Sequence, residues 1–379
     1  MSQDTQSLLA HLKIESAAFT ILDIPVDIQQ YLCTFNEETF NKFHILSKRA
    51  ATNTHYDNNL KKKGLWLEWH DNGMLQSQIP FVEGVENGEC KQWYKNGQLY
   101  THCWSVDGKE NGAFKQWHPN GQLQVSCFCI DSKKNGDYTQ WYNNEQLQIQ
   151  STFVDDELHG KCTWWRKNGQ KFEHCSFKNG KRNGERKRWY DNGQLKKQAM
   201  FINDKKNGEY KKWYADGHLE VHSNFINGKL DGEYRKWYTD GQRKSHLNVS
   251  NGELQGEAKM WHENGQLMVQ TTYVDNKLNG EFKDWNSSGQ LCNCVFWSNG
   301  LLHGEYKTWY NNGQLKLHGT YVDDKKNGEF KWWAKSGHLK VHSRYVDDEE
   351  TLSSRTWLPV KFAMSLLKIR MMNNTMLDL

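Results

Sequence analysis

Cys127 and Cys129 stand two residues apart, as do Cys292 and Cys294, while His218 and His222, and His338 and His342, stand four apart. Pairs of this kind can ligate a transition metal, the His pairs only when a helix brings them one turn apart. In a strand, residues two apart share a face, but residues four apart lie about 13 Å from each other, beyond the reach of one ion. Cys103 and Cys127, separated by two strands in such a layout, would be about 10 Å apart, too far for a disulfide. No Gly-rich stretch opens a helix as a phosphate cradle requires, and Ser, His and Asp occur as scattered variation within a repeating unit. These residues therefore predict no catalytic site, no metal and no cofactor.

The element beneath them is read from Trp. Trp69, Trp93, Trp117, Trp141, Trp165, Trp189, Trp213, Trp237, Trp261, Trp285, Trp309 and Trp333 follow one another at a spacing of 24. Positions are counted below from this Trp. A Gly stands at −5 in all twelve copies, and another at +4 in eleven, Glu145 being the exception. An unbroken period of this length marks a repeat array, here from Gly64 to about Thr351.

Within a copy, alternating segments flank Asn-Gly or Asp-Gly in nine cases, such as Asn96-Gly97. That dipeptide suits a two-residue type I′ hairpin loop, so each copy is predicted to be a hairpin, and the array a meander of about 24 strands. With that loop, Tyr94 at +1 would face Leu99 at +6, and Lys91 would face His102. One face then collects the aromatic and aliphatic side chains, Phe114, Tyr138, Tyr210, Phe153 and Phe225 among them. The other carries the Trp among Lys or Arg at −2, an acid at −4 and His or Gln at +9, with Lys ammonium groups expected over the indoles. The spacing predicts an elongated single-layer antiparallel sheet on the order of 115 Å long, stabilised neighbour by neighbour.

The unit Gly-Glu-Tyr-Lys-Lys-Trp213-Tyr-Ala-Asp-Gly217-His-Leu resembles the MORN repeat in its variant form. That resemblance covers about three quarters of the chain and implies a mainly β array that binds proteins in some members and lipids in others.

The ends differ from the array. Residues 1–60 read as a small α-helical domain, with Pro25 just inside a helix start and Phe40, Phe43, Ile45 and Leu46 at helical spacing. One reading is a cap over the first hairpin. The other is a resemblance to an F-box, carried by Ile24-Pro25-Val26-Asp27-Ile28 and Leu46-Ser47-Lys48-Arg49, with Ile24 in place of the usual Leu and no Trp after Arg49. Residues 352–379 read as a C-terminal helical cap over the last strand, with an amphipathic membrane anchor as the alternative.

Composition narrows the function. The 379 residues carry 49 Lys and Arg against 45 Asp and Glu, a net charge of +4 that does not call for a nucleic-acid partner. Neither a signal-peptide pattern nor an apolar run of about 20 residues is found, and the 9 Cys form an odd set, so a reducing, cytoplasmic setting with unlinked thiols is expected. The combined resemblance is to F-box/MORN proteins of large DNA viruses of amoebae, for which the setting would be the host cytoplasm. It implies an adaptor, and the chain is expected to be a monomer and, with no nucleophile, base or phosphate loop standing out in its sequence, not an enzyme. Ile24, Pro25, Ile28, Leu32 and Leu46 would dock the linker subunit of a cullin-RING ubiquitin ligase. The Trp face, from Trp93 through Trp117, Trp141, Trp165, Trp189, Trp213, Trp237, Trp261 and Trp285 to Trp309, would capture a protein target. The alternative is a scaffold or a module with peripheral membrane contact and no ligase link.

Overall fold

The computed structural model describes residues 61–355, every regular element of which is a strand. They fall into two units, one ending at Gly193 and the other beginning at Gln194. The first runs from strand Gly64–Trp69 to strand Lys181–Trp189, and the second from Leu195–Ile202 to Glu349–Arg355. In each unit strands pair antiparallel with their neighbours along the chain, which is the expected meander of hairpins. The F-box-like segment, with Ile24, Pro25, Ile28, Leu32 and Leu46, lies outside the described residues. So does most of the C-terminal segment expected to be helical. Its first four residues, 352–355, belong instead to the strand Glu349–Arg355, paired with Leu339–Val346. Helix there is corrected to strand because the open edge of the last hairpin offers a ladder of unpaired backbone groups.

The body of each hairpin has the expected register. Lys91 faces His102, Cys90 faces Cys103 and Gln92 faces Thr101. The tip departs from expectation. Trp93 faces Leu99, so Tyr94 does not, and the register shifts by one next to Trp93, leaving Tyr100 as a bulge. The tip loop holds three residues, Lys95, Asn96 and Gly97, closed by Gly97 N–H to Tyr94 O at 2.9 Å and Tyr94 N–H to Gln98 O at 2.8 Å. Only Gly97 has positive φ, at 82°, which is a type I turn followed by a left-handed residue. The slip at the tip and the bulge cancel, which is why the body register survives.

The two-residue loop with both residues left-handed lies between copies instead. Val106 pairs with Lys109 around Asp107 (φ 51°) and Gly108 (φ 75°). All twelve linking turns, from Glu83-Gly84 to Asp347-Asp348, have this pair of positive φ values. Where the second residue lacks the freedom of Gly, its side chain is put to use. Asp156 Oδ1 accepts the N–H of Lys134, and Asp324 Oδ1 that of Leu302, each at 2.8 Å, stitching one turn to the turn a repeat earlier. The tips are stitched likewise. Tyr94 Oη donates to Trp117 O at 2.9 Å, and Asn96 Nδ2 to Pro119 O at 2.9 Å, with the same two bonds recurring in other copies.

Positions −7, −3, −1, +8, +10 and +12 share the inner face. In the second unit this face is a continuous apolar cluster in which Leu247, Val269, Val295 and Phe330 are fully buried. A single layer can bury them because large side chains lean over smaller ones on the next strand. A Cβ on Gly319 would lie 2.2 Å from Cε1 of Phe330, so that ring occupies the space above the glycine. Leu247 in turn faces Ala258, the large and small partners exchanged. In the first unit the buried positions are Cys90, Cys129, Cys162 and Cys175, with Ser77, Ser105 and Ser151. Arg186 and Arg188 there bind the two oxygens of Glu173, at 2.6 and 2.9 Å.

Candidate interaction surface

The outer face holds the Trp. All twelve are half-buried, neither enclosed nor free of cover. Each sits at the tip end of its strand opposite the +6 residue, as Trp213 does opposite Leu219. Trp261 also lies against Arg243 of the preceding repeat, guanidinium carbon 5.4 Å from the ring centroid.

The Lys at −2 does not lie over the indole as expected. It turns to the acid at −4: Lys91 to Glu89 at 2.9 Å, Lys211 to Glu209 at 2.7 Å, Lys331 to Glu329 at 2.8 Å. Alternation explains the choice, since residues two apart in a strand point the same way and a carboxylate binds an ammonium more strongly than a ring does. The +9 His completes the group, with His102 Nε2 2.8 Å from Glu89, His222 2.9 Å from Glu209 and His318 3.0 Å from Glu305. The Lys hydrogen bond, ahead of the His contact, holds Glu89, Glu209 and Glu305 below the usual carboxylate range. Ammonium–ring contacts occur instead at hairpin tips, as between Lys244 and Tyr238, and on the inner face. Lys206 Nζ lies 4.4 Å from Tyr210 and 4.3 Å from Phe225, at the −7 position where other copies bury Leu.

Two further rows on the outer face escaped the sequence reading. At +13, beside the linking turns, Val82, Val106, Ile130 and Val154 of the first unit are exposed, as are Ile202, Ile226, Val274, Val322 and Val346 of the second. At +11, Trp104 and Phe128 in adjacent copies are 51% and 46% exposed, and Met200 is exposed at the same position. The signal was present as Val or Ile at the same 24-residue spacing, but it reads equally as strand propensity beside a turn. The outer face thus offers rows of charge flanked by apolar rows.

The candidate metal ligands do not converge. Among the described residues no three His, Cys, Asp or Glu side chains form a group able to hold an ion. His218 Nδ1 lies 3.4 Å from its own turn residue Asp216.

The profile of the MORN repeat variant matches ten segments: 62–83, 86–103, 110–128, 134–155, 158–179, 182–203, 206–227, 230–251, 254–275 and 302–323. The copies around Trp285 and Trp333 keep the period without matching it. No curated protein matches the chain. Among solved structures, a chain from the crystal structure of TcdB2-TccC3 is 11% identical over 77% of this chain and 18% of its own, with a TM-score of 0.16. One from TcdB2-TccC3-TEV is 12% identical over 80% and 20%, also with a TM-score of 0.16. The chain spans about a fifth of the length of those proteins, and scores this low carry no argument about its fold or role. The repeated match to one profile, over more than half of the residues and in step with the hairpins described above, places this chain in the MORN repeat variant family.

Proposed function

We propose that the chain is a protein-binding repeat scaffold whose outer face is the recognition surface. The observation that carries this reading is the pair Trp104 and Phe128, half in water on a face that also carries rows of ion pairs. Large aromatics exposed beside charge are what interface anchors look like before a partner covers them. The half-buried Trp row, including Trp213, Trp237 and Trp261, would form the floor of the surface rather than its protruding contacts. Partners captured by proximity labelling in the native cell supply the ligand for the test. Trp104→Ser with Phe128→Ser should abolish capture while circular dichroism stays unchanged, and undiminished capture would overturn the assignment of this face.

The finer reading is that the scaffold is a substrate-recruiting adaptor of a cullin-RING ubiquitin ligase, non-enzymatic, monomeric and cytoplasmic. Its support is the F-box-like motif Ile24-Pro25-Val26-Asp27-Ile28 with Leu46-Ser47-Lys48-Arg49. Ile28 and Leu32 would share a helical face beside Pro25, the arrangement of a helix laid into a groove. Co-purification from a eukaryotic lysate should recover the linker subunit and the cullin with the wild type and lose both with Pro25→Ala, Ile28→Ala. Recovery of neither by the wild type leaves a scaffold without a ligase.

A further inference from the structure

Four of the eight described cysteines stand in two facing pairs. Cys90 is directly opposite Cys103, and Cys162 directly opposite Cys175, in both cases −3 against +10 across one hairpin of the first unit. All eight are thiols. The bland explanation is that a thiol is a small core filler, which accounts for Cys129 beside Gly112 and needs nothing more. It does not account for two sulfurs meeting across the same hairpin twice.

The geometry of the pairs follows from the linking turn. Val106 and Lys109 flank a two-residue loop and so bond to each other, which directs Ser105 and Cys103 to bond the other way, toward Gly88–Trp93. Cys90 and Cys103 are therefore a hydrogen-bonded pair, with Cα atoms about 5.5 Å apart, inside the disulfide range of about 4.4–6.8 Å. Their Cβ atoms, about 5.5 Å apart in such a pair, must approach by about 1 Å or more to close the bond. The bond can form, under strain, and strained disulfides are the readily reduced ones. The +10 and −3 positions of the Cys162 hairpin repeat this arrangement.

We propose that Cys90–Cys103 and Cys162–Cys175 are reversible cross-strand disulfide sites, oxidised by a small-molecule disulfide such as oxidised glutathione. One Cys thiolate attacks the glutathione disulfide, forming a mixed disulfide and releasing one glutathione thiolate. The facing thiol, having lost its proton to solvent, attacks the protein sulfur of that mixed disulfide and releases the second. Two protein thiols and one oxidised glutathione become one protein disulfide and two reduced glutathiones. Access differs between the sites. Cys103 is half-buried and can meet the oxidant directly, whereas Cys162 and Cys175 are each 1% exposed and react only when the hairpin opens.

The test uses the full chain, native, in oxidised glutathione, with remaining thiols blocked by a maleimide and the linkages mapped by mass spectrometry. The expected result is a Cys90–Cys103 cross-link, lighter by two hydrogens, that reverses with reduced glutathione. A Cys162–Cys175 cross-link should follow more slowly and accelerate in mild denaturant. Cys90→Ser should leave Cys103 carrying glutathione, because the resolving thiol is gone. Persistent glutathione on Cys103 of the wild type would overturn the proposal, as would a link from Cys127 to Cys103 or Cys129. So would unlinked pairs under conditions that load glutathione onto half-buried Cys292.

Discussion

At position −7 the first unit carries Lys62, Glu86, Glu110, Lys134, Leu158 and Arg182, and the second carries Lys206, Leu230, Leu254, Leu278, Leu302 and Lys326. Those last four Leu are each no more than 4% exposed and knit the second unit into one cluster, while the buried positions of the first are Cys and Ser. Both units keep the same turns, the same bulge and the same stitching bonds between tips. The difference teaches that the backbone template and the core filling are separable. Turn chemistry and inter-repeat hydrogen bonds set the fold, and apolar burial, at about 25 cal/mol per Å², sets how firmly each stretch is held.

The largest expected effect lies in the better-packed unit. Leu247→Ala should cost about 3 kcal/mol in denaturant titration, because neighbours already pressed around Ala258 cannot collapse into the space. Cys175→Ala, the corresponding +10 truncation in the first unit, should cost about 1 kcal/mol, since it removes one atom. Equal losses would break the contrast. Gly319→Ala should destabilise by about 2 kcal/mol by driving a methyl group into the Phe330 ring, and Phe330→Leu in the same chain should recover part of the loss.

The template was legible in particular residues and misread in others. The 24-residue spacing and the Lys91–His102 pairing carried the body of the hairpins, because the slip at the tip is undone by the bulge. The two-residue type I′ loop was assigned to the tip and stands at the link, since Asn-Gly and Asp-Gly occur at both turns and the dipeptide alone does not distinguish them. Pro119 held the missing signal. It stands at +2, where a two-residue loop would need a ladder position, and its fixed φ suits the first central residue of a type I turn. The linking turns, in contrast, draw both residues almost wholly from Gly, Asn, Asp and Ser, Glu83 alone departing from that set. The row of Trp was visible, but its half-burial and the exposure of Trp104 and Phe128 depend on which neighbour covers which, information that a period does not contain.

Smaller effects sharpen the comparison. In the first unit Glu173→Gln should cost about 1 kcal/mol, because Arg186 and Arg188 lose a shared, largely buried counter-charge. Glu145 has φ 65° where other copies have Gly, and its carboxylate accepts a hydrogen bond from Gln122 Nε2 at 2.8 Å. Relief of strain outweighs an exposed hydrogen bond, so Glu145→Gly should stabilise that hairpin by about 0.5 kcal/mol, read as slower amide exchange.

The smallest effect is the acid response. Glu89 in the first unit and Glu209, Glu257, Glu281, Glu305 and Glu329 in the second are held below the ordinary value of 4.5, first by their Lys hydrogen bonds. A depressed carboxylate contributes stability that is present above 4.5 and lost as pH falls through its folded value. Melting temperature should therefore be flat through neutral pH and fall gently below pH 4.5, with more of these carboxylates acting in the second unit. Solvent screening keeps each contribution small.

The central claim is that one template is held with two strengths. Native-state hydrogen exchange across residues 75–189 and 219–333 tests it most directly, because both stretches have the same ladders and differ in what packs beneath them. The account predicts amide protection several-fold higher or more in the second stretch, greatest in the strands around Leu247, Val269 and Val295. Equal protection in the two stretches, or greater protection in the first under reducing conditions, would contradict it.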